Sequence, residues 1–327
     1  MPKDQEYVLV TGGAGYIGGH MAGLLVSAGR RVVVADNLST GVMGWIPEGT
    51  AFIKADLCSL ADCQKIFETY QIDAVLHFAA KIVVPESVSC PAAYYANNVG
   101  GTLNLLNAMT ARGVRKFVFS STAAVYGDPA VVPISEEAPL APLNPYGTSK
   151  WLVEQVLSDC ANLGVLDYIS LRYFNVAGWD TRRSWPRKGR PSPTHLISNA
   201  MQALHKGPPL VVCGENYPTP DGTGVRDFIH VMDLCEAHLL ALDALSKGTK
   251  NQVFNLGNCH GFSVMDVIRT ASQVAQRPVP YGKGPRRPGD VATLVASCEK
   301  ARRILGWKPK FDLEAILKSE WQRSLTC

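Results

Sequence analysis

The 327-residue sequence lacks several features that mark membrane, secreted and nucleic-acid-binding proteins. None of its apolar runs approaches the ~20 residues that a membrane-spanning helix needs. Its first residues show no charged segment followed by an apolar core, so we expect no secretory signal. Basic residues form no concentrated cluster beyond Arg182–Arg190, and the net charge of +4 is mild. We therefore expect neither a membrane nor a nucleic acid as a partner.

Cysteine is present, but not in a pattern that suggests a metal site or a disulfide framework. Nine cysteines are scattered singly along the chain and contain no C-x-x-C pair. An odd number of isolated cysteines favours free thiols in a reducing compartment. We therefore expect cytoplasmic localisation, no disulfide bond and no bound metal.

The sequence does contain an alternation of strand and helix patterns over its first half. Short apolar, often β-branched runs are followed by stretches in which apolar residues recur at helical spacing. Continuous apolar strands that alternate with helices predict a parallel sheet buried on both faces. The predicted strands are 7–11, 31–36, 51–54, 74–78, 116–120 and 168–173, and the predicted helices are 16–28, 61–70, 92–112 and 146–160.

The regular alternation ends after Asn175. Residues 178–194 are polar and rich in Arg, Pro, Trp and Ser, which is typical of a functional loop, a lid or a disordered segment. We predict an α/β protein with a doubly wound Rossmann sheet in residues 1–175 and a smaller, mixed α/β, mainly substrate-binding region in residues 176–327. The chain is expected to cross back to the Rossmann sheet around 225–257. Further predicted elements are helices 196–206, 233–246, 263–276 and 312–323 and strands 209–213 and 252–256.

A glycine-rich segment joins the first predicted strand to the first helix. Gly12, Gly15 and Gly18 are spaced G-x-x-G-x-x-G, and Gly13, Gly15 and Gly18 also fit G-x-G-x-x-G. Missing side chains let backbone N–H groups approach a pyrophosphate at the positive end of a helix. The strand–turn–helix context therefore predicts a dinucleotide-binding site.

An acidic residue ends the second predicted strand and indicates which dinucleotide binds. A carboxylate at Asp36 accepts hydrogen bonds from ribose hydroxyls and would repel a 2′-phosphate, so we predict NAD rather than NADP. Asp56 and Leu57, which follow the third strand, are expected beside the adenine.

Tyr146 and Lys150 form a Y-x-x-x-K pattern at the start of a predicted helix, where positions four apart share a face. A phenol has a pKa of ~10 in model compounds, too high for a base at neutral pH. A neighbouring ammonium and a positive nicotinamide favour the phenolate. Tyr146 is thus predicted to abstract a hydroxyl proton while hydride leaves the same carbon. Thr122, just past strand 116–120, is a predicted proton relay.

Together these motifs resemble the extended short-chain dehydrogenase/reductase superfamily and, within it, the UDP-glucose (UDP-galactose) 4-epimerase family. Matching segments span nearly the whole chain, and DGTGVRDFIHV at 221–231 is more specific than the glycine motif. The resemblance implies NAD-dependent C4 epimerisation of UDP-glucose and UDP-galactose through a 4-keto intermediate. It also implies a homodimer formed through two helices, about 92–112 and 146–160. Other matching segments are TGGAGYIGGH (11–20), FSSTAAVYGD (119–128), NPYGTSK (144–150) and RRPGD (286–290).

The resemblance implies a role for each matching residue. Catalysis is implied for Tyr146, Lys150 and Thr122, and Lys150 is also expected to hold the nicotinamide ribose. Arginines suit the diphosphate because their planar fork pairs with phosphate oxygens. The implied NAD contacts are Gly12, Gly15, Tyr16, Ile17, Asp36, Asn37, Leu38, Ser39, Thr40, Gly41, Asp56, Leu57, Phe78, Ala79, Ala80, Asn97, Ser120, Tyr146, Lys150 and Tyr173. The implied substrate contacts are Thr122, Tyr146, Asn175, His195, Leu196, Arg226, Arg287 and Asp290.

Some positions depart from the family pattern. Ile82 stands where well-known members carry a lysine near the nicotinamide, and Lys81 lies one residue earlier. His195 replaces an asparagine that contacts the diphosphate in many members. Leu294 occupies a position that limits the size of the sugar, so acceptance of N-acetylated sugars stays open.

Four alternatives remain. The substrate could be another UDP-sugar, either an N-acetylhexosamine or a pentose. A nucleotide-sugar dehydratase or decarboxylase would carry a carboxylate beside the relay hydroxyl, where this chain has Ala123 and Ala124. A net reductase would favour releasable NADPH, against which Asp36 argues. A non-catalytic NAD-binding scaffold or sensor would not need Tyr146 and Lys150.

Overall fold

The structure is a computed structural model that describes residues 6–185, 195–287 and 289–325. The chain divides into two compact units. The first comprises Met1–Val125, Leu140–Arg172 and Cys235–Phe254, and the second comprises Tyr126–Pro139, Tyr173–Leu234 and Asn255–Cys327. Within the described ranges, no helix combines the length and the apolar character needed to cross a membrane.

Strands and helices are numbered here in chain order. The strands are β1 Tyr7–Thr11, β2 Val32–Asp36, β3 Ala51–Lys54, β4 Ile72–His77, β5 Lys116–Thr122, β6 Asp167–Tyr173, β7 Asn175–Ala177, β8 Leu210–Cys213, β9 Val225–His230, β10 Gln252–Leu256, β11 Gly261–Ser263, β12 Tyr281–Gly284 and β13 Thr293–Leu294. The helices are α1 Tyr16–Ser27, α2 Leu60–Thr69, α3 Val84–Ser89, α4 Pro91–Tyr95, α5 Gly101–Thr110, α6 Pro145–Asn162, α7 Leu196–Leu204, α8 Val231–Ser246, α9 Val264–Ala275, α10 Glu299–Leu305 and α11 Leu313–Leu325.

Seven strands form one sheet in the order β10-β6-β5-β4-β1-β2-β3. Strand β1 pairs in parallel with both β2 and β4, and the parallel pairing continues from β2 to β3 and from β4 to β5. All five residues of β2 are buried, so both faces of the sheet are covered. On one face, Phe67, Leu105 and Leu157 from three helices pack against it. This arrangement confirms the predicted doubly wound α/β fold, with the chain direction of the connections reversing between β1 and β4.

The predicted helix 92–112 is not continuous. A wider π-helical turn, Ala96–Gly100, separates α4 from α5. Asn98, within this turn, accepts a hydrogen bond from the Lys81 backbone N–H at 2.8 Å and donates to the Lys81 carbonyl at 3.0 Å and to the Ser149 hydroxyl at 3.0 Å. The turn thus presents the Asn98 amide to two other segments, a requirement that apolar spacing does not reveal.

In the second unit a smaller sheet is built around β9. Strand β11 pairs with β9 antiparallel, while β13 and β7 pair with it in parallel. Strands β8 and β12 form a separate parallel pair. Helices α7, α9 and α11 bury Ile197, Val267 and Leu317 in the apolar core of this unit. The strand β9 was not predicted, because Arg226 and Asp227 interrupt its apolar pattern.

A buried carboxylate ties β9 to two other segments of the second unit. Asp227 accepts hydrogen bonds from the backbone N–H groups of Asn258 at 2.5 Å, Cys259 at 3.1 Å and Ala296 at 3.1 Å. A disulfide joins Cys259 to Cys298, whose Cα atoms are 6.0 Å apart. The expectation of no disulfide was therefore wrong. The two cysteines are 39 residues apart in sequence, so only the fold brings them together.

The polar segment predicted as a loop or lid is described only up to Trp185. The Trp185 indole ring packs edge to face against Trp179, with ring centres 5.3 Å apart, and the Trp185 Nε1 donates to the Asp180 carbonyl at 2.9 Å. The first part of the segment is thus folded around two buried tryptophans. Residues 186–194 lie outside the described residues.

Candidate functional site

The glycine-rich turn between β1 and α1 has no room for side chains at two positions. A Cβ atom on Gly18 would lie 2.3 Å from the Gly12 carbonyl oxygen, and one on Gly12, whose φ is +69°, would lie 2.7 Å from the Ala79 amide nitrogen. No side chain caps the start of α1 at Gly15. A helix start with backbone N–H groups and no side-chain cap suits a pyrophosphate.

Asp36, the last residue of β2, organises the loops around this turn. Its two carboxylate oxygens accept hydrogen bonds from the backbone N–H groups of Ala14 at 3.0 Å and Leu38 at 2.8 Å. A Cβ atom on Gly41 would lie 2.8 Å from Oδ1 of this carboxylate. The carboxylate is thus fixed beside the glycine turn and keeps acceptor lone pairs, as the predicted role toward ribose hydroxyls requires.

An open cleft of about 360 Å³ lies beside Asp36 at the same edge of the sheet. Asp56 lies on its wall, and its carboxylate accepts a hydrogen bond from the Cys58 backbone N–H at 2.9 Å. Three residues of this wall were not predicted, since nothing in their spacing marks them: Lys54, Ala55 and Asp62. The full lining is Asn37, Ser39, Lys54, Ala55, Asp56 and Asp62.

The NAD contacts predicted in the first unit lie at or just after the carboxyl ends of β1–β5, or on the helix segments near them. The carboxyl ends of parallel strands share one edge, and open α/β sheets bind ligands there. Tyr173 ends β6 and belongs to the second unit. At the strand ends and in the following turns are Gly12, Gly15, Tyr16, Ile17, Asp36, Asn37, Leu38, Ser39, Thr40, Gly41, Asp56, Leu57, Phe78, Ala79, Ala80 and Ser120, with Asn97 in the π-helical turn.

Tyr146 and Thr122 meet at the carboxyl end of β5. Tyr146 is in the first turn of α6, whose N-cap Asn144 accepts a hydrogen bond from the Gly147 N–H at 2.9 Å. Burial raises the pKa of the Tyr146 phenol, and the nearby Thr122 hydroxyl opposes that rise. The Thr122 oxygen accepts a hydrogen bond from the Ala124 N–H at 3.2 Å. The predicted relay hydroxyl is therefore close enough to the phenol to affect its pKa.

Lys150 lies one helical turn after Tyr146 and is only 3% exposed. Its ammonium donates to the Ser120 carbonyl at 2.9 Å and lies 4.9 Å from the centre of the Phe119 ring. Burial lowers the pKa of Lys150 to about 7, and the nearby Glu154 carboxylate opposes this shift. That Lys150 and a positive nicotinamide together favour the Tyr146 phenolate stays a prediction. Desolvation of the phenol dominates the pKa of Tyr146 in the protein chain, where the Lys150 ammonium donates to the Ser120 carbonyl.

A buried histidine, not predicted as part of the site, connects the glycine turn to the π-helical turn. The ring nitrogens of His77 lie 2.7 Å from the Thr11 hydroxyl and 2.9 Å from the Thr102 hydroxyl. The Thr102 hydroxyl donates to the Asn98 carbonyl at 2.6 Å. Burial lowers the pKa of His77 to about 3, with a further contribution from the charge of Lys150. The ring is therefore neutral at physiological pH and serves as a fixed hydrogen-bonding link.

In the second unit, the predicted substrate residues Arg226, Arg287 and Asp290 cluster. The Arg226 guanidinium donates to the Val225 carbonyl at 2.9 Å, and its Nη2 lies 3.6 Å from Asp290 Oδ1. Burial lowers the pKa of Arg226, the Asp290 carboxylate opposes this, and the charge of Arg287 adds to the lowering. Two guanidiniums close to one carboxylate leave an excess positive charge, which suits an anionic ligand.

The remaining predicted substrate residues are placed on elements of the same unit. Leu294 pairs with Arg226 across β13 and β9, so the residue predicted to limit sugar size lies beside the arginine cluster. Asn175, at the start of β7, pairs with Phe228 of β9. His195 and Leu196 form the start of α7, where His195 is the N-cap residue.

Tyr217 and Arg286 belong to the arginine cluster but were not predicted. The Arg286 guanidinium stacks 3.9 Å from the centre of the Tyr217 ring. The Tyr217 side chain is 6% exposed, and its buried hydroxyl has no hydrogen-bond partner in the described part of the chain. Burial raises its pKa, as does the charge of Asp290. No spacing rule marks a lone tyrosine, so only the fold reveals it.

Lys81, next to the departure at Ile82, is engaged elsewhere in the first unit. Its ammonium lies 3.4 Å from the Glu86 carboxylate and 5.9 Å from the centre of the Tyr94 ring. Among the described residues, no three His, Cys, Asp or Glu side chains are grouped to hold a metal ion.

Comparison with known proteins places these features in a family. The sequence model that describes the NAD dependent epimerase/dehydratase family matches residues 8–257 of this chain. UDP-glucose 4-epimerase of Azospirillum brasilense is 48% identical over 324 residues, covering 97% of this chain and 92% of that protein.

Solved structures agree with the sequence comparison. UDP-glucose 4-epimerase from Brucella ovis in complex with NAD superposes with a TM-score of 0.93 at 40% identity, covering 98% of both chains. The enzyme from Stenotrophomonas maltophila, with bound NAD and formylated UDP-arabinopyranose, gives a TM-score of 0.94 at 36% identity, again covering 98% of both chains.

Proposed function

The chain belongs to the NAD dependent epimerase/dehydratase family, and from this we infer that it is an isomerase that epimerises a UDP-sugar at C4 with NAD as its cofactor. The substrates are UDP-glucose and UDP-galactose. The observation that carries this proposal is the placement of the buried Thr122 hydroxyl near the Tyr146 phenol, one helical turn from the buried Lys150 ammonium. This arrangement can transfer the proton of one hydroxyl group on the reacting carbon and needs no second acid.

The first unit provides the cofactor site and the second unit provides the substrate site. Gly12 and Gly18 leave backbone close to the helix start for the pyrophosphate. Asp36 receives the adenosine ribose hydroxyls and discriminates against a 2′-phosphate. Bound NAD supplies a reversible hydride acceptor for C4. We assign the boundary between these roles to residue 175, with the return to the Rossmann sheet at 225–257.

The proton from the sugar 4-hydroxyl is handled by residues of the chain. Tyr146 accepts it through Thr122 or directly, because the Thr122 hydroxyl lies near the phenol. The raised pKa of the Tyr146 phenol means that a positive charge must favour its ionisation. Lys150 contributes part of that charge, and the oxidised cofactor contributes the rest. The same proton returns to the sugar when the 4-keto group is reduced, so no acid is consumed.

Binding of the nucleotide is separate from the chemistry at C4. Arg226 and Arg287 pair with the diphosphate, Asp290 accepts from a ribose hydroxyl, and Asn175 and the start of α7 complete the site. Because the charges hold the nucleotide rather than the hexose, the 4-keto sugar can turn about its phosphate linkage and present its other face. Epimerisation follows from this separation.

Two alternative activities are less well supported. A dehydratase or decarboxylase needs a carboxylate beside Thr122, and the residues that follow it are Ala123 and Ala124. An epimerase of another UDP-sugar is favoured only by Leu294, whose size does not exclude larger or smaller sugars. The enzyme from Stenotrophomonas maltophila was solved with a pentose nucleotide, which makes pentoses a necessary part of any test.

The test is an assay of the purified protein with a panel of UDP-sugars. UDP-galactose should be converted to UDP-glucose without net change in NADH, and UDP-N-acetylgalactosamine and UDP-arabinose are assayed in parallel. Interconversion restricted to one of the other pairs would keep the reaction and change the substrate. If no UDP-sugar is interconverted when NAD is added, the proposed epimerase activity is refuted.

We also propose a homodimer formed through the helices at about 92–112 and 146–160. Leu103 on α5 and Leu152 on α6 are 40% and 37% exposed, as expected for apolar residues that a second copy covers. Light scattering of wild type and of a Leu103→Glu, Leu152→Glu variant tests this. A wild-type protein that is monomeric throughout would refute it. Cytoplasmic localisation remains a prediction.

A further inference from the structure

A buried ion pair in the first unit lies directly behind the Tyr146–Lys150 face of α6. The Arg172 Nε donates to both carboxylate oxygens of Glu154, at 3.0 and 3.2 Å, and Nη2 lies 2.5 Å from Oε2. The Ser121 hydroxyl donates to Oε1 at 2.5 Å. Both charged side chains are about 5% exposed or less. The Glu154 carboxylate is therefore saturated with donors from two strands.

The position of this pair links it to the site. Tyr146, Lys150 and Glu154 follow each other at four-residue spacing, so they share one face of α6. On β5, Ser121 stands between Ser120, whose carbonyl accepts a hydrogen bond from the Lys150 ammonium, and Thr122, which lies near the phenol. Glu154 thus binds β5 at Ser121, between the residue that accepts from Lys150 and the residue near Tyr146.

A buried ion pair is not explained by stability alone. Desolvation of two charges costs about as much as their attraction returns, and well-packed apolar residues are often as stabilising. Removal of one partner, in contrast, leaves an uncompensated buried charge. The pair therefore suggests that the Glu154 carboxylate has a further role. The nearest group that needs a negative charge is the buried Lys150 ammonium, one helical turn away.

The groups around Lys150 support this interpretation. From β5 it contacts the Ser120 carbonyl and the Phe119 ring, which do not carry a full charge. From β4 it faces His77, which burial keeps neutral. On its own helix lie Tyr146 and Glu154, and Arg172 of β6 is ion-paired with that carboxylate. Glu154 is the carboxylate that opposes the loss of the Lys150 proton.

We propose that Glu154 is a positioning residue for catalysis: its carboxylate keeps the Lys150 ammonium charged and, through Ser121, fixes the strand end that carries Thr122. The role of Lys150 in this statement rests on the proposed function. Arg172 orients the carboxylate and satisfies its remaining lone pairs. The spacing Y-x-x-x-K-x-x-x-E is visible in the sequence, but its meaning depends on Arg172, which only the fold brings near.

The test compares pH–rate profiles of the wild type with those of two variants. Glu154→Gln keeps the shape and removes the charge, so Lys150 should lose its proton at lower pH. A shift of one pH unit in the alkaline limb of kcat corresponds to ~10-fold lower activity in the range where only the variant is deprotonated. Asp159→Asn, an exposed acid on the same helix, is the matched control and should leave the profile unchanged.

A second variant separates charge from folding. Glu154→Gln leaves Arg172 buried without a counter-charge and can therefore unfold the protein. The double variant Glu154→Gln, Arg172→Gln replaces the ion pair with two amides that hydrogen-bond to each other. It should fold and still show the shifted alkaline limb. A folded double variant with the wild-type profile would show that the pair is only structural and overturn the proposal.

A readout that does not depend on turnover distinguishes this proposal from the proposed function. Carbon-13-labelled lysine, with the Lys150 signal assigned by Lys150→Met, reports the titration of the ammonium by NMR. The signal should titrate at lower pH in the double variant than in the wild type. If the wild type lacks epimerase activity but the signal shifts, the function is refuted and the effect of Glu154 on Lys150 stands. An unchanged titration refutes the effect of Glu154.

Discussion

The two units expose their functional charges to different extents. In the first unit Lys150, Glu154 and His77 are 3%, 4% and 2% exposed. In the second unit Arg287 is exposed and the Asp290 side chain is 36% exposed. The charged and titratable groups around the proposed proton-transfer residue Tyr146 are thus withdrawn from water, and in such surroundings a single neighbouring charge changes a pKa. Arg287 and Asp290, which are proposed to bind the nucleotide, remain accessible to a charged ligand.

The largest effect that this comparison predicts is for Tyr146→Phe. This substitution removes the hydroxyl that is proposed to carry the sugar proton, and general acid–base catalysis contributes ~10²–10⁴-fold to a rate. We expect kcat to fall by that factor, while KM and the content of bound NAD change little. Steady-state kinetics and the absorbance of bound cofactor measure these quantities.

The control for this change is Tyr70→Phe, which removes a phenol of the same unit whose ring packs edge to face against Tyr7, far from α6 in sequence. Its kcat should stay close to that of the wild type. If Tyr146→Phe retained near-normal kcat, Thr122, Tyr146 and Lys150 would not form the site of chemistry, and the proposed division of roles between the two units would fail.

A smaller effect of a different kind is predicted in the second unit. Arg287→Ala removes a guanidinium from the anion cluster, and a hydrogen bond to a charged group contributes ~1.5–3 kcal/mol. We expect KM for the UDP-sugar to rise ~10–100-fold with little change in kcat, since the arginine binds ground and transition states alike. Steady-state kinetics at two salt concentrations measure both.

Salt provides the internal check on that prediction. An exposed arginine–phosphate contact weakens as ionic strength rises, so KM of the wild type should increase with salt more steeply than KM of Arg287→Ala. Arg303→Ala, on the exposed face of α10, is the control and should match the wild type. If kcat fell by the same factor as kcat/KM, Arg287 would act in the chemical step, and the proposed contrast between the two units would fail.

The two units also differed in how well their structure could be predicted from sequence. In the first, β1, β2 and β5 were predicted to within two residues, because parallel strands buried on both faces are continuous apolar runs. In the second, β7, β9, β11, β12 and β13 were missed. Strands of two to six residues that carry charged or polar side chains have no such pattern.

The same division applies to the candidate sites. Local motifs identified Gly12, Asp36, Tyr146 and Lys150, because the backbone conformation that each needs is set by nearby residues. Partners that meet only after folding were not predictable. The Glu154–Arg172 pair joins a helix to a strand 18 residues later, and the contact of His77 with Thr11 spans 66 residues.

The smallest predicted effect concerns the pH dependence of stability, and it arises from His77. The pKa of this buried ring is about 3 in the folded protein, below its ordinary value of 6.5. The unfolded chain therefore binds a proton that the folded chain refuses. The stabilisation is complete above pH 6.5 and is lost as the pH falls towards 3. Between pH 7 and pH 5.5 the unfolding free energy should fall by about 1 kcal/mol through this group.

The variant His77→Gln should lose that part of the pH dependence, because an amide does not titrate. Denaturant unfolding at the two pH values measures the difference, and His205→Gln, at the surface, should behave as the wild type. The second unit contains a related case in His230, which burial holds neutral with a pKa of about 4 beside Ser319 and Phe311. Equal effects of His77→Gln and His230→Gln would show that buried neutral histidines stabilise both units alike. The contrast between the units would then be confined to the residues that hold NAD, the sugar proton and the diphosphate.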